Sequence, residues 1–167
     1  MEVDWILKID IFQMENKKVK NATLTEYNNI KFKSRLEVMI YKTLLQEGFE
    51  PHYEASKYPI WRGFKPEVCM YKPNKEGNLE LQTKKIVDIT YTPDFLFMAP
   101  DNKTVIIFEV KGGYENDTYP LKEKMFRGYL EDLLQKYNQK TMFFKVGNKK
   151  QCLEAINIIK QTFNNED

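Results

Sequence analysis

Thr92-Pro93-Asp94-Phe95 and Phe108-Glu109-Val110-Lys111-Gly112 decide how this chain folds, together with the turn Pro100-Asp101-Asn102-Lys103 between them. Ile86 to Met98 is rich in β-branched and aromatic residues and reads as a strand; Thr104 to Lys111 reads as a second. Pro with Asp and Asn supplies the backbone preferences of a chain reversal. A hairpin folded about Asp101-Asn102 pairs residues whose numbers sum to 203, which sets Asp94 directly across from Glu109.

Directly opposed side chains leave the same sheet face, with Cβ atoms about 4.5–5.5 Å apart. Strand alternation adds Lys111 to that face and sends Val110 to the other. Two carboxylates so close repel unless they share a proton or a cation, and a divalent, oxygen-loving ion is the simplest resolution. Lys111 would neutralise residual charge and could orient or activate a water. The alternative is a cross-strand ion cluster on a solvated sheet face.

With 167 residues the chain is long enough for one domain with a sizeable core. Its net charge of only +2 announces no global field for a nucleic acid, so any basic footprint must be local. Cys69 and Cys152 lack metal-type spacing, and with His52 as the single histidine they argue against a zinc site and for a reduced, intracellular setting. No apolar run approaches the roughly 18 residues of a membrane span, no signal-peptide pattern opens the chain, and no membrane partner is expected.

Val3 to Phe12 is apolar enough for a strand and is followed by a polar stretch, Glu15 to Asn29, so residues 1–30 read as an N-terminal arm before a domain at 31–167. Such an arm could add an edge strand, exchange between subunits or clamp a substrate. Ser34 to about Glu47 reads as a helix with Leu36, Met39, Ile40, Thr43 and Leu44 at helical period and Gly48 as its C-terminal stop. Ser34-Arg35-Leu36-Glu37 fits a capping box, in which Glu37 reaches back to the backbone N–H of the cap residue. Glu37 also lies on the margin of the apolar stripe, where it could lean toward the hairpin carboxylates.

Phe49 to Glu54 reads as an edge or bulged strand because of Pro51. Val68–Tyr71 and Leu79–Gln82 flank a turn at 73–78, and Trp61, Arg62, Phe64, Lys65, Lys72 and Lys75 mix aromatic and basic character there. That mixture suits either stacking and phosphate contact or an ordinary amphipathic hairpin. Pro120 opens a second helix with Leu121, Met125, Tyr129, Leu130, Leu133 and Tyr137 as its stripe. Lys122, Lys124 and Arg127 crowd its start against the helix dipole, as a phosphate site or a plain solvated face would have them. A strand at Lys140–Val146 and a helix at Gln151–Phe163 complete the chain.

Pro-Asp followed by Glu-x-Lys on adjacent antiparallel strands resembles the PD-(D/E)XK nuclease superfamily. Within it the chain is similar to small phage endodeoxyribonucleases, the endonuclease I and Holliday junction resolvase group. The matching residues are Phe32-Lys33-Ser34-Arg35-Leu36-Glu37, Gly48-Phe49-Glu50 with Tyr53-Glu54, Tyr91-Thr92-Pro93-Asp94-Phe95-Leu96 and Phe108-Glu109-Val110-Lys111-Gly112. Thr118 to Phe126 is similar to a stretch in related phage proteins. The resemblance covers about residues 31–146 and departs from the endonuclease I pattern in the longer Ala55–Lys85 segment and the N-terminal arm.

The resemblance implies an α/β fold with a restriction-endonuclease-like α-β-β-β-α-β core, a mixed sheet flanked by helices. It implies hydrolysis of DNA phosphodiesters, expected in branched DNA, by a homodimer in the cytoplasm (the host's, for a phage protein). Asp94, Glu109 and the backbone carbonyl of Val110 are expected to hold Mg2+ or Mn2+, and Glu37 a second ion or a water of the first. Lys111 is expected to position the attacking water, and Lys122, Lys124, Arg127 and Arg35 to hold DNA phosphates. The competing functions are a duplex endonuclease with sequence or end preference and a non-catalytic nucleic-acid-binding module of the same fold.

Overall fold

The computed structural model describes residues 24–113 and 117–164, so the strand expected at Val3–Phe12 and residues 114–116, ahead of the second helix, lie outside the described residues. The first described element is a small hairpin, β1 (Thr25–Tyr27) and β2 (Ile30–Phe32), inside and just beyond the stretch expected to be merely polar. Asn28 and Asn29 both take positive φ, 51° and 61°, the left-handed geometry a two-residue hairpin turn requires and Asn tolerates. This hairpin runs across residue 30, where the arm was expected to end. Phe32 is fully buried among Tyr41, Tyr53 and Phe95.

Helix α1 spans Arg35–Gln46, capped by Ser34 and stopped before Gly48 at φ 86°. A two-residue strand, β3 (His52–Tyr53), follows Pro51 and lies at the edge of the main sheet, where a residue without an N–H is tolerated. The chain then leaves the sheet as β4 (Tyr58–Trp61), β5 (Tyr71–Pro73), β6 (Leu79–Leu81) and β7 (Ile89–Tyr91). β4 pairs with β7 and β5 with β6, forming an excursion of two-stranded ladders.

The strand expected over Ile86–Met98 is two strands. β7 ends at Tyr91, β8 (Phe95–Met98) begins at Phe95, and Thr92-Pro93-Asp94 between them carries the chain from the β4 ladder into the main sheet. Pro93 cannot donate a ladder hydrogen bond, which interrupts a run whose composition is otherwise continuous strand. β9 (Val105–Val110) returns antiparallel to β8, α2 (Tyr119–Tyr137) crosses over, β10 (Thr141–Val146) lies parallel to β9, and α3 (Lys149–Asn164) ends the fold. The main sheet has the order β10-β9-β8-β3 and is mixed, so the protein is α/β, with three helices among the described residues.

Strand alternation divides the sheet into two faces. Phe95, Phe97, Ile106, Phe108 and Val110 form one core with α1 and α3. Ile107 and partly buried Leu96 and Val105 form a second with Phe126 of α2 and Tyr91. α2 turns toward the sheet on Tyr119 and Phe126, so Leu121 and Tyr137 of the expected stripe are exposed. Phe126 sets that phase by stacking on Tyr91 at 4.2 Å between ring centroids. No helix among the described residues is long and apolar enough to cross a membrane.

Candidate active site

The hairpin register is the expected one. Phe95 pairs with Phe108, Leu96 with Ile107, Phe97 with Ile106 and Met98 with Val105, and the next step of the same register sets Asp94 against Glu109. The turn is held by Asp101, whose carboxylate accepts from the Lys103 and Thr104 amides at 2.9 and 2.8 Å and from the Thr104 hydroxyl at 2.6 Å. Ile107 belongs to the core beneath α2, so Glu109, two residues on, leaves the sheet on that side.

Asp94 and Glu109 are buried, 8% and 4% exposed, which is rare for carboxylates without compensation. Asp94 Oδ2 accepts from the Val110 amide at 2.6 Å. Lys111 Nζ lies 2.7 Å from Glu109 Oε1. Among the described residues Glu109 Oε2 is buried with no hydrogen-bond partner. Burial first, then the charges of Glu109 and Glu37, push Asp94 well above the usual carboxylate range, with the Val110 amide opposing. Burial also raises Glu109, against the pull of Lys111. For Lys111 burial disfavours the ammonium, but Glu109, Asp94 and Glu37 outweigh it and hold its pKa above the usual lysine value.

Glu37 is the third carboxylate at the site, 7% exposed. Its Oε2 accepts from the Lys33 amide at 3.0 Å and the Tyr53 hydroxyl at 2.6 Å, and its Oε1 from the Ser34 hydroxyl at 2.9 Å. Ser34 Oγ in turn accepts from the Glu37 amide at 3.2 Å. The capping box is therefore present, but Glu37 reaches the amide before the cap residue rather than the cap's own. Its charge still acts on Asp94 and Lys111. Among the described residues no three His, Cys, Asp or Glu side chains are grouped as ligands of one metal ion. The side chains facing each other closely are Asp94 and Glu109, with Glu37 held back by its cap and by Tyr53.

Several participants lie outside the expected site residues, although Lys33, Glu54 and Tyr91 fall within the matching stretches. Lys33 forms an ion pair with Glu54, and its charge favours the ionised form of Glu109. Glu54 sits at φ 46° and its amide donates to the Asp94 carbonyl at 2.9 Å, tying the edge strand to the acidic residue. On the α2 side, the Tyr91 and Tyr119 hydroxyls are 3.4 Å apart, and Tyr91 is close enough to Glu109 to favour its charge. Lys111 and Lys145 place their ammonium groups 4.5 and 4.7 Å from the Tyr119 ring centre. Lys145 is the ladder partner of Glu109 on β10 and bonds Glu123 at 3.0 Å. A parallel neighbour is invisible from hairpin symmetry alone, which is why Lys145 escapes a reading of the hairpin.

Of the residues expected to hold phosphates, Arg35, Lys124 and Arg127 are exposed and Lys122 is partly buried. Arg127 lines a shallow cleft between α2 and β10 that also includes Glu123 and Lys145. His52 is exposed on the edge strand. Comparison with protein-family models, with curated proteins and with solved structures finds no match for this chain.

Proposed function

We propose that this protein is a divalent-metal-dependent endodeoxyribonuclease with a PD-(D/E)XK centre, acting on branched DNA as the resemblance to the endonuclease I group implies. The observation that carries the reading is one pair of buried carboxylates, Asp94 and Glu109, in register across a hairpin, with Lys111 at 2.7 Å from Glu109 and one oxygen of Glu109 unpartnered among the described residues. A buried acceptor without a donor is costly, and a hard cation is the chemistry that satisfies it. The donor set therefore fits Mg2+ or Mn2+ held by Asp94, Glu109 and the backbone carbonyl of Val110. The order α1, β3, β8, β9, α2, β10 supports the restriction-endonuclease-like core.

Such an ion supplies polarisation of the scissile phosphate, a more acidic attacking water and compensation of charge on the leaving oxygen. The chain's own groups do the rest. The Val110 amide and the Glu54 amide fix Asp94 by its side chain and its carbonyl. Lys111, fully charged beside Glu109, orients the attacking water and offsets negative charge gathering on the phosphoryl oxygens. Glu37 adds negative charge that Asp94 and Lys111 feel while remaining part of the helix cap. Paired incisions in opposite strands of a junction require two such centres, and so a homodimer.

The test is a side-by-side incubation of four-way junctions, flaps, single strands and linear duplex with Mg2+ or Mn2+. Incision of the junction in preference to duplex, abolished by Glu109→Gln, is the expected outcome. Preference for duplex would move the reading to an endonuclease with sequence or end preference. No incision of any substrate, with no metal binding by calorimetry, would leave a nucleic-acid-binding module.

A further inference from the structure

We propose that the excursion between Tyr58 and Tyr91 is a nucleic-acid-binding arm whose aromatic and basic residues grip DNA beside the acidic centre; this deepens the nuclease reading and rests on it. Every residue of β5 and β6 is exposed, so this ribbon has no face committed to a core. An isolated two-stranded ribbon is marginal in water, and one that leaves Tyr71, Leu79 and Leu81 exposed is shaped for a partner. Near its root Trp61 and Phe64 meet edge to face at 5.7 Å and remain 36% and 48% exposed. Arg62 and Lys65, both exposed, alternate with them.

Charge selects the partner. Residues 55–88 carry seven Lys and Arg against four Asp and Glu, a net +3 in a chain whose total is +2, so everything else sums to −1. Two such arms docked on each other would bring like charges together, whereas a polyanion neutralises them. A two-stranded ribbon also matches the width of the DNA major groove, and exposed aromatic rings stack on unpaired bases. The arm's position completes the case. It is rooted through Tyr58 and Tyr91 on Phe126, and Tyr91 borders Glu109, so DNA lying along the arm reaches the carboxylates. The strands are pressed together at the root, where a Cβ on Gly63 would lie 2.1 Å from the Ile86 carbonyl oxygen.

Binding is measured by fluorescence anisotropy in chelator, on full-length Glu109→Gln protein, with a labelled four-way junction, a matched duplex and a single strand. Trp61→Ala/Phe64→Ala is expected to weaken junction and single-strand binding about tenfold or more, with less effect on duplex. Arg62→Glu/Lys65→Glu is expected to weaken all three and to flatten the dependence of log affinity on log salt by about 1 for each phosphate no longer neutralised. Thermal melting confirms that these exposed substitutions leave the fold intact. Unchanged affinity and salt slope in both variants overturns the proposal. So does loss of a dimer by light scattering with affinity per copy unchanged, which would make the arm a self-association surface. Because cutting is not read, a protein that never cleaves DNA can still pass, and one that cleaves while ignoring these substitutions fails here alone.

Discussion

Asp94 Oδ2 accepts a 2.6 Å hydrogen bond from the amide of Val110, the residue after the Glu109 that faces it across the hairpin. That amide opposes the rise in the Asp94 pKa, while burial and two neighbouring carboxylates drive it. The folded protein therefore holds the Asp94 proton more tightly than the unfolded chain does. The associated stability is complete below the unfolded carboxylate range, around pH 4, and is lost as pH rises through the folded value. Glu109, shifted the same way, adds to the effect.

Chelated protein should accordingly melt at progressively lower temperature as pH rises from about 4 toward neutrality. Asp94→Asn keeps an oxygen for the Val110 amide and removes the charge. In chelator near neutral pH it should be more stable than the wild type by about 1–3 kcal/mol, with a shallower pH profile. Saturating Mg2+ should reverse the ranking. A wild-type protein whose melting temperature is insensitive to pH in chelator would count against a buried pair that Lys111 and the Val110 amide compensate only in part.

Glu109→Gln and Lys111→Met separate the charge pair from the fold. Each removes one partner of the 2.7 Å ion pair. Cleavage of the preferred substrate should fall about 10²–10³-fold or more in each, as when one preorganised group at a developing charge is lost. Circular dichroism should remain that of the wild type. Wild-type cleavage by either folded variant would falsify the assigned site.

Glu37 serves two ends that substitution can divide. Ser34→Ala removes the cap and should cost about 1 kcal/mol in denaturant unfolding, with cleavage largely retained. Glu37→Gln keeps acceptor oxygen for the Lys33 amide and the Tyr53 hydroxyl, so stability should change little. Cleavage should nevertheless drop at least about tenfold, because the charge felt by Asp94 and Lys111 is gone. Equal cleavage in both variants would leave Glu37 a capping residue only.

The hairpin was legible because its register follows from a single turn: once Asp101-Asn102 reverses the chain, every opposed pair is determined. The same holds for α1, where Ser34, Glu37 and Gly48 announce both ends. What stayed hidden depended on pairing between distant segments. The break at Thr92-Pro93-Asp94 arises because β7 pairs with β4 and not within the main sheet, which local composition does not reveal. Asn28-Asn29 shows as polarity in the sequence, whereas its meaning lies in backbone conformation. Lys145 and Tyr119 join the site through a parallel crossover and a helix phase set by Phe126, both tertiary choices.

Lys145 and Tyr119 should tune substrate binding. The ring of Tyr119 carries two ammonium groups, an arrangement that holds positive charge beside the carboxylates. Tyr119→Phe keeps the ring and should leave cleavage within about threefold, whereas Tyr119→Leu should raise KM for DNA several-fold, since each cation–π contact contributes about 0.5–2 kcal/mol. Lys145→Met should raise KM more than it lowers kcat and reduce the salt slope of binding by about 1. A lowered kcat with KM unchanged would instead put Lys145 in the chemical step.

Gly147 offers a test that alters no charge and touches no side chain of the site. A Cβ there would lie 2.7 Å from the backbone carbonyl oxygen of Lys111, and backbone cannot swing aside as a flexible side chain can. The Lys111 amide is meanwhile bonded to the Val146 carbonyl at 2.9 Å, so the two strand ends are locked together. Gly147→Ala must therefore displace the backbone of Lys111 and with it the ammonium beside Glu109. Cleavage should fall about 10–10²-fold, since misplacement by about an ångström is enough to do so. Gly128→Ala in α2 is the control, because nothing lies within 4 Å of its added Cβ. Alanine in a helix interior should stabilise by up to about 1 kcal/mol and leave cleavage unchanged. If Gly147→Ala instead cleaves like Gly128→Ala, the placement of Lys111 beside Glu109 is not what limits the reaction.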